Sequence, residues 1–187
     1  LLHPRVDMAG EKSGITGMEF PLLPAAIALQ SKLFGFAHWH ARLLVLIIGS
    51  LGIWAFHQLL KRHTDERIAF WSALALIASL WFMYSRKVMP DVFALSLVLV
   101  GLHATSRCLD ARRPWLNGAL AVLLIMLGAL SKLPAGCMLA VLPLMILSHE
   151  ASGARRWWLG LAIALGLLPV GWWYFVHVPY LNALGDY

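Results

Sequence analysis

Six apolar runs constrain this chain more than any other feature. They cover residues 43–60, 68–84, 88–106, 115–130, 133–148 and 157–177. Each is close to the ~20 residues with which a helix crosses a bilayer. Composition agrees: the 187 residues are 60% hydrophobic and 13% charged, with a mean hydropathy of +0.74. A soluble domain is nearer 45–50% apolar and about 25% charged. Glycines and prolines inside the runs, among them Gly49, Gly52, Gly101, Gly128 and Pro169, suit close packing of membrane helices. The expected fold is all-α, a polytopic integral membrane bundle of about six transmembrane helices. One further apolar stretch, 21–37, starts with Pro21 and Pro24 and is interrupted by Gln30, Ser31 and Lys32. It reads either as a thin span or as a helix lying in the interface.

The charges orient the runs. Three loops at alternate ends hold Lys61, Arg62, Arg67, Arg107, Arg112, Arg113, Arg155 and Arg156, eight cations. The other set holds three, Arg86, Lys87 and Lys132. Cytoplasmic loops carry the excess of Lys and Arg, so Arg86, Lys87, Asp91 and Lys132 are expected on the non-cytoplasmic face. Clustering in short loops also explains the net charge of +6 without nucleic acid as a partner. Seven of the nine tryptophans, Trp172 and Trp173 among them, fall near run ends, as aromatic belts do. Cys108 and Cys137 have no disulfide or metal spacing and read as packing residues. No signal peptide precedes the first run; the chain reads as a fragment or processed product of a longer protein.

Chemistry-bearing residues are few. Ser85-Arg86-Lys87-Val88-Met89-Pro90-Asp91 is a costly polar break between two apolar runs. Adjacent Arg86 and Lys87 suit a phosphate or diphosphate, the one as a fork, the other as a point charge. Asp91 is placed to hold Arg86, bind an acceptor or touch a metal, or simply to cap a helix N-terminus. Lys132, in Ser131-Lys132-Leu133-Pro134, either snorkels to lipid headgroups or binds an anion. Glu19, just before the proline-started helix, is a capping carboxylate, a metal ligand or a positioning group. His177, at the outer end of the last run, is a candidate metal or phosphate partner. His38 and His40, at i, i+2, do not share a helical face, and His57 and His103 read as buried polar groups.

Taken in order, Gly17-Met18-Glu19-Phe20-Pro21-Leu22-Leu23-Pro24, Lys32-Leu33-Phe34-Gly35, Ala41-Arg42-Leu43-Leu44, Tyr84-Ser85-Arg86 with Pro90-Asp91, and Leu130-Ser131-Lys132-Leu133-Pro134 resemble a known pattern. It is that of the C-type, polyprenyl-phosphate-dependent glycosyltransferases of the protein mannosyltransferase and aminoarabinose transferase superfamily. The resemblance implies that 21–37 is a juxtamembrane helix on the outer face, after an outer loop at 1–20. Glu19, Asp91 and Lys132 would then meet in one cavity, above a six-helix bundle at 43–177 in a single membrane domain over 1–187. It implies transfer of a sugar from a lipid-phosphate donor to an acceptor outside the cytoplasm. Arg86, Lys87 and Lys132 would hold the donor phosphate, Glu19 would position a divalent metal or substrate, and Asp91 would support the acceptor. The family's catalytic base lies upstream of the Glu-Phe-Pro motif. Asp7 is the one outer-loop aspartate before Glu19 and the sole stand-in within the chain, so the principal base is expected upstream of Leu1.

The expected location is the bacterial inner membrane, with the active face periplasmic or extracellular and membrane lipids around the bundle. The alternative is a non-catalytic membrane subunit that uses a glycosyltransferase-like scaffold to bind lipid or pack against other subunits. A transporter ranks last, because the charges collect at run ends instead of mid-span.

Overall fold

In this computed structural model the described residues are 18–110, 114–147 and 152–184, apart from the side chains of Trp81, Arg86 and Leu184, and they form helices with no strand among them. Helix α1 is Leu22–Phe34, α2 His38–His63, α3 Glu66–Ile77, α4 Pro90–Asp110, α5 Pro114–Ser131, α6 Leu133–Leu147 and α7 Gly153–Ala183. Four of them, α2, α4, α5 and α7, are long and apolar enough to cross a membrane. The chain is an all-α, multi-pass membrane protein. Leu46, Trp54, Leu120, Leu161 and Phe175, on these four helices, are exposed, as lipid-facing side chains are.

Helix α4 is the centre of the bundle. Two-thirds of its residues are buried, including Ala94, Ser96, Gly101, Ala104 and Ser106. These small side chains let neighbouring backbones approach. A Cβ on Gly52 of α2 would sit 2.5 Å from Ser96 Oγ, and one on Gly128 of α5 would sit 2.8 Å from the Ala94 carbonyl oxygen. The same contacts fix direction. Gly49 meets Val92, Gly52 meets Ser96, and Arg62 binds Ser106 and Asp110, so α2 runs parallel to α4. Gly128 meets Ala94 and Val98 while Gly101 meets Ile125, so α5 runs antiparallel to it.

That directionality settles where α1 lies. The Phe20 N–H, just before α1, donates to the Leu130 carbonyl at the end of α5 (3.1 Å). At the other end of α1, the Phe34 ring is 6.4 Å from the His40 ring at the start of α2. Both neighbours belong to the end of the bundle where α4 begins, so α1 does not cross it. The chain turns into α2 through Gly35, whose φ of +80° is the left-handed region that favours glycine. The basic loops gather at the opposite end. There Arg62 holds Ser106 and Asp110, and Arg155 donates to the Leu109 carbonyl at 2.8 Å.

Three runs differ in detail from unbroken helices. The run 68–84 stops being helical at Ile77, where the Ser79 hydroxyl donates to the Leu76 carbonyl (2.6 Å) and competes with the backbone ladder. One α-turn, Leu80–Met83, and one 3-10 turn, Tyr84–Arg86, follow. The run 133–148 begins as a 3-10 helix, Leu133–Ala140, and becomes α-helical over Val141–Leu147. Helix α7 outruns 157–177 at both ends and widens into a π-turn at Trp173–His177. In a regular helix the Pro179 ring would press on the Phe175 carbonyl, and the wider turn accommodates it. Asp7, Arg112 and Arg113 lie outside the described residues.

Candidate functional site

The site forms where three element ends meet. Asp91 stands in the first turn of α4, directly after Pro90. Lys132 follows the last residue of α5, in extended conformation with φ −158° and ψ 112°. This turns its side chain out of the α5 axis before the next helix starts at Leu133, with Pro134 in its first turn. Ser131, beneath it, is buried and its hydroxyl donates to the Leu127 carbonyl at 2.8 Å. Glu19 lies before α1, which follows Pro21 and carries Pro24 in its first turn, where no backbone donor is needed.

The three side chains converge on one ammonium. Lys132 Nζ is 3.0 Å from Glu19 Oε1 and 3.3 Å from Asp91 Oδ1. The cluster is half-open, with the three side chains 27%, 40% and 49% exposed in the order Lys132, Glu19, Asp91. The hydrogen bond that Lys132 donates to Glu19 is the main cause that holds its ammonium above the ordinary lysine range, against the opposing effect of burial. An ammonium has three donors, and two are used here. The third remains for a ligand, while two carboxylates against one cation leave the cluster with one negative charge.

Residues from the far end of the sequence fix this geometry. Trp173 is fully buried and its indole N–H donates to the Met18 carbonyl at 3.1 Å. Its ring packs edge-on to Phe20, with centroids 4.9 Å apart. The half-buried Tyr174 donates its hydroxyl to the Leu130 carbonyl at 2.9 Å, the same oxygen that receives the Phe20 N–H. Expected in an aromatic belt, Trp173 is instead an internal strut: its donor is satisfied by backbone and its ring is sealed by Phe20. Trp71, Trp115, Trp157 and Trp172 are exposed as belt residues are.

One cleft borders the cluster at Glu19, and a second lies between the start of α2 and Ser85. The first, of about 210 Å³, is lined by Glu19, Phe20, Pro21, Pro24, Val88, Pro90 and Ser131. The second, of about 360 Å³, is lined by Trp39, Arg42, Leu43, Leu46 and Ser85. Ser85 is fully buried there and its hydroxyl has no partner. Sequence reasoning passed over Trp173, Tyr174, Ser85 and Arg42 as site residues. Two of them carried a signal: Arg42 as a cation at the head of an apolar run, and Ser85 as the first residue of the polar break 85–91.

Of the other expected site residues, Lys87 is exposed and holds its ammonium 5.4 Å over the Tyr84 ring, a cation–π contact. The Arg86 side chain and Asp7 lie outside the described residues. His177 is buried and stacks on Trp172 with centroids 5.0 Å apart, and lies 4.8 Å from Trp173. Among the described residues no three His, Cys, Asp or Glu side chains come together as a metal site, and the Glu19 carboxylate is engaged by Lys132. Cys108 is buried, as a packing residue is, whereas Cys137 is exposed.

Comparison with the curated proteins finds no significant match, and comparison with the solved structures finds none either. The sequence profile of one family, described as dolichyl-phosphate-mannose-protein mannosyltransferase, matches residues 18–174. That interval begins one residue before Glu19 and ends on Tyr174, so it contains the whole ammonium-centred cluster with the aromatic pair that braces it. The chain, a membrane glycosyltransferase of the mannosyltransferase kind, belongs to the dolichyl-phosphate-mannose-protein mannosyltransferase family.

Proposed function

We propose that this chain moves a sugar from a polyprenyl-phosphate donor to an acceptor, at the membrane end that holds Glu19, Asp91 and Lys132. That end is assigned to the non-cytoplasmic face of a bacterial inner membrane. One observation carries the reading. Three charged residues far apart in sequence meet at one ammonium, at the end of the bundle away from the basic loops.

In the transfer the bond between the anomeric carbon and the phosphate oxygen breaks, a bond from the acceptor oxygen to that carbon forms, and the acceptor hydroxyl gives its proton to a carboxylate base, the role that the family resemblance gives to a residue upstream of Glu19. Negative charge collects on the departing lipid phosphate. Lys132 offers its third N–H to that phosphate, where a fixed donor stabilises developing charge more than it does the ground state. The cluster's own net charge is negative, so further cations are needed. Lys87, Arg86 and the Arg42 guanidinium, which lines the cleft beside Ser85, are assigned that task. Glu19 and Asp91 keep the ammonium aimed and accept hydrogen bonds from sugar or acceptor hydroxyls. The apolar helix ends beside the cluster give the polyprenyl chain a path from the bilayer.

Asp91→Asn and Lys132→Ala, made in the full-length protein, are expected to abolish sugar transfer from the lipid-linked donor while expression and membrane insertion stay normal. Transfer at the original rate by both variants would overturn the proposal.

A further inference from the structure

The structure assigns Trp173 and Tyr174 as positioning residues for the Glu19–Lys132–Asp91 cluster. The inference rests on the sugar-transfer reading and names what holds its site in register. Neither aromatic residue touches the three charged side chains by any hydrogen bond. Each acts on the backbone next to one of them. Trp173 grips the Met18 carbonyl, one residue before Glu19. Tyr174 grips the Leu130 carbonyl, two residues before Lys132. The Phe20 N–H closes the arrangement by donating to that same carbonyl. The Glu19 segment and the Lys132 turn are thus tied to each other and to one turn of α7.

The local backbone makes this double grip achievable. Consecutive residues on an α-helix point about 100° apart, and here both reach the same small region. The π-turn Trp173–His177 widens the helix where they sit, and π-turns are frequent at functional sites. Phe20 is the third support: its ring meets the Trp173 indole edge-on, so the motif cannot slide along α7 without losing that contact. Glu19 itself has no helix to hold it, since α1 begins at Leu22. Its placement against Lys132 depends on these contacts from α7 and α5.

Two variants test this with little change of shape. Trp173→Phe keeps an aromatic ring near Phe20 and removes the N–H donor, and Tyr174→Phe removes only the hydroxyl. In the full-length protein each is expected to lower kcat for sugar transfer about tenfold, since small misplacements of reacting groups carry penalties of that order or more. KM for the lipid-linked donor should change less than kcat. Amide hydrogen exchange at Phe20, whose N–H is bonded to Leu130, should speed up, while exchange along the core of α4 stays unchanged. Lys132→Ala is the reference. If Lys132→Ala is inactive but both aromatic variants transfer sugar at the original rate, the positioning role is wrong and the transfer reading stands. If both variants lose kcat with unchanged exchange at Phe20, the positioning role is again wrong. If Lys132→Ala transfers sugar normally, the transfer reading itself falls.

Discussion

Lys132 is the residue on which the site turns, and its environment decides what its charge can do. Two carboxylate oxygens lie at 3.0 and 3.3 Å, so removal of the ammonium leaves two like charges facing each other. Loss of a single preorganised donor commonly costs about 10²–10³ in rate, and Lys132→Ala is expected to cost at least that. The sign of its pH dependence follows from the hydrogen bond to Glu19, which chiefly holds the ammonium above the ordinary value of 10.5. A raised lysine value stabilises the fold fully below the unfolded value, and that contribution is lost only as pH rises through the folded one. The difference in thermal unfolding midpoint between the parent protein and Lys132→Met should therefore stay constant from about pH 7 to 9.5 and shrink only above the normal lysine range. A difference that vanishes near neutral pH would show that the ammonium is not held as described.

At the scale of elements, the close crossings of α4 with α2 and α5 set the tolerance of the bundle. Gly128, like Gly52, is a tight point that cannot relax. Its missing Cβ would lie 2.7 Å from a Val98 methyl and 2.8 Å from the Ala94 carbonyl oxygen, and backbone cannot swing aside as a side-chain tip can. Gly128→Val is expected to destabilise the protein by about 1–3 kcal/mol, the usual cost of overpacking, read as a lower unfolding midpoint in detergent. Gly136, with nothing within 4 Å of its missing Cβ, is the control: Gly136→Ala should leave that midpoint unchanged. Because α5 ends in Ser131 directly before Lys132, a push at Gly128 should also weaken transfer.

For the whole molecule, the consequence is one of sides. Helices α2 and α4 run parallel, α5 returns, and α1 stays at the end where α4 begins. A cysteine placed at position 19 and one placed at position 91, each in a background lacking Cys108 and Cys137, should therefore react alike with a membrane-impermeant maleimide. One placed at position 62, where Arg62 meets Asp110, should behave oppositely. Labelling of positions 19 and 91 from different sides would contradict this arrangement of helices.

The sequence by itself determined the class of fold and offered the residues of the candidate site. Apolar runs of bilayer length dictate helices, because a bilayer offers the backbone no other partners. The partition of Lys and Arg between loops separated the two ends, and Glu19, Asp91 and Lys132 were legible as candidate site charges, though each was also open to a capping or headgroup role. Local pattern could not show that a single ammonium bridges both carboxylates, since that depends on the register of α4 against α5, which is set by contacts such as Gly128 with Ala94. Nor could it choose between a spanning and a surface-bound α1, because its length and polarity allow both. The tertiary structure decided that by tying Phe20 to Leu130 and Phe34 to His40. The roles of Trp173 and Tyr174 were hidden for the same reason: an aromatic residue near a span end looks alike in a lipid belt or in a buried strut, and only the neighbours brought by the fold distinguish the two.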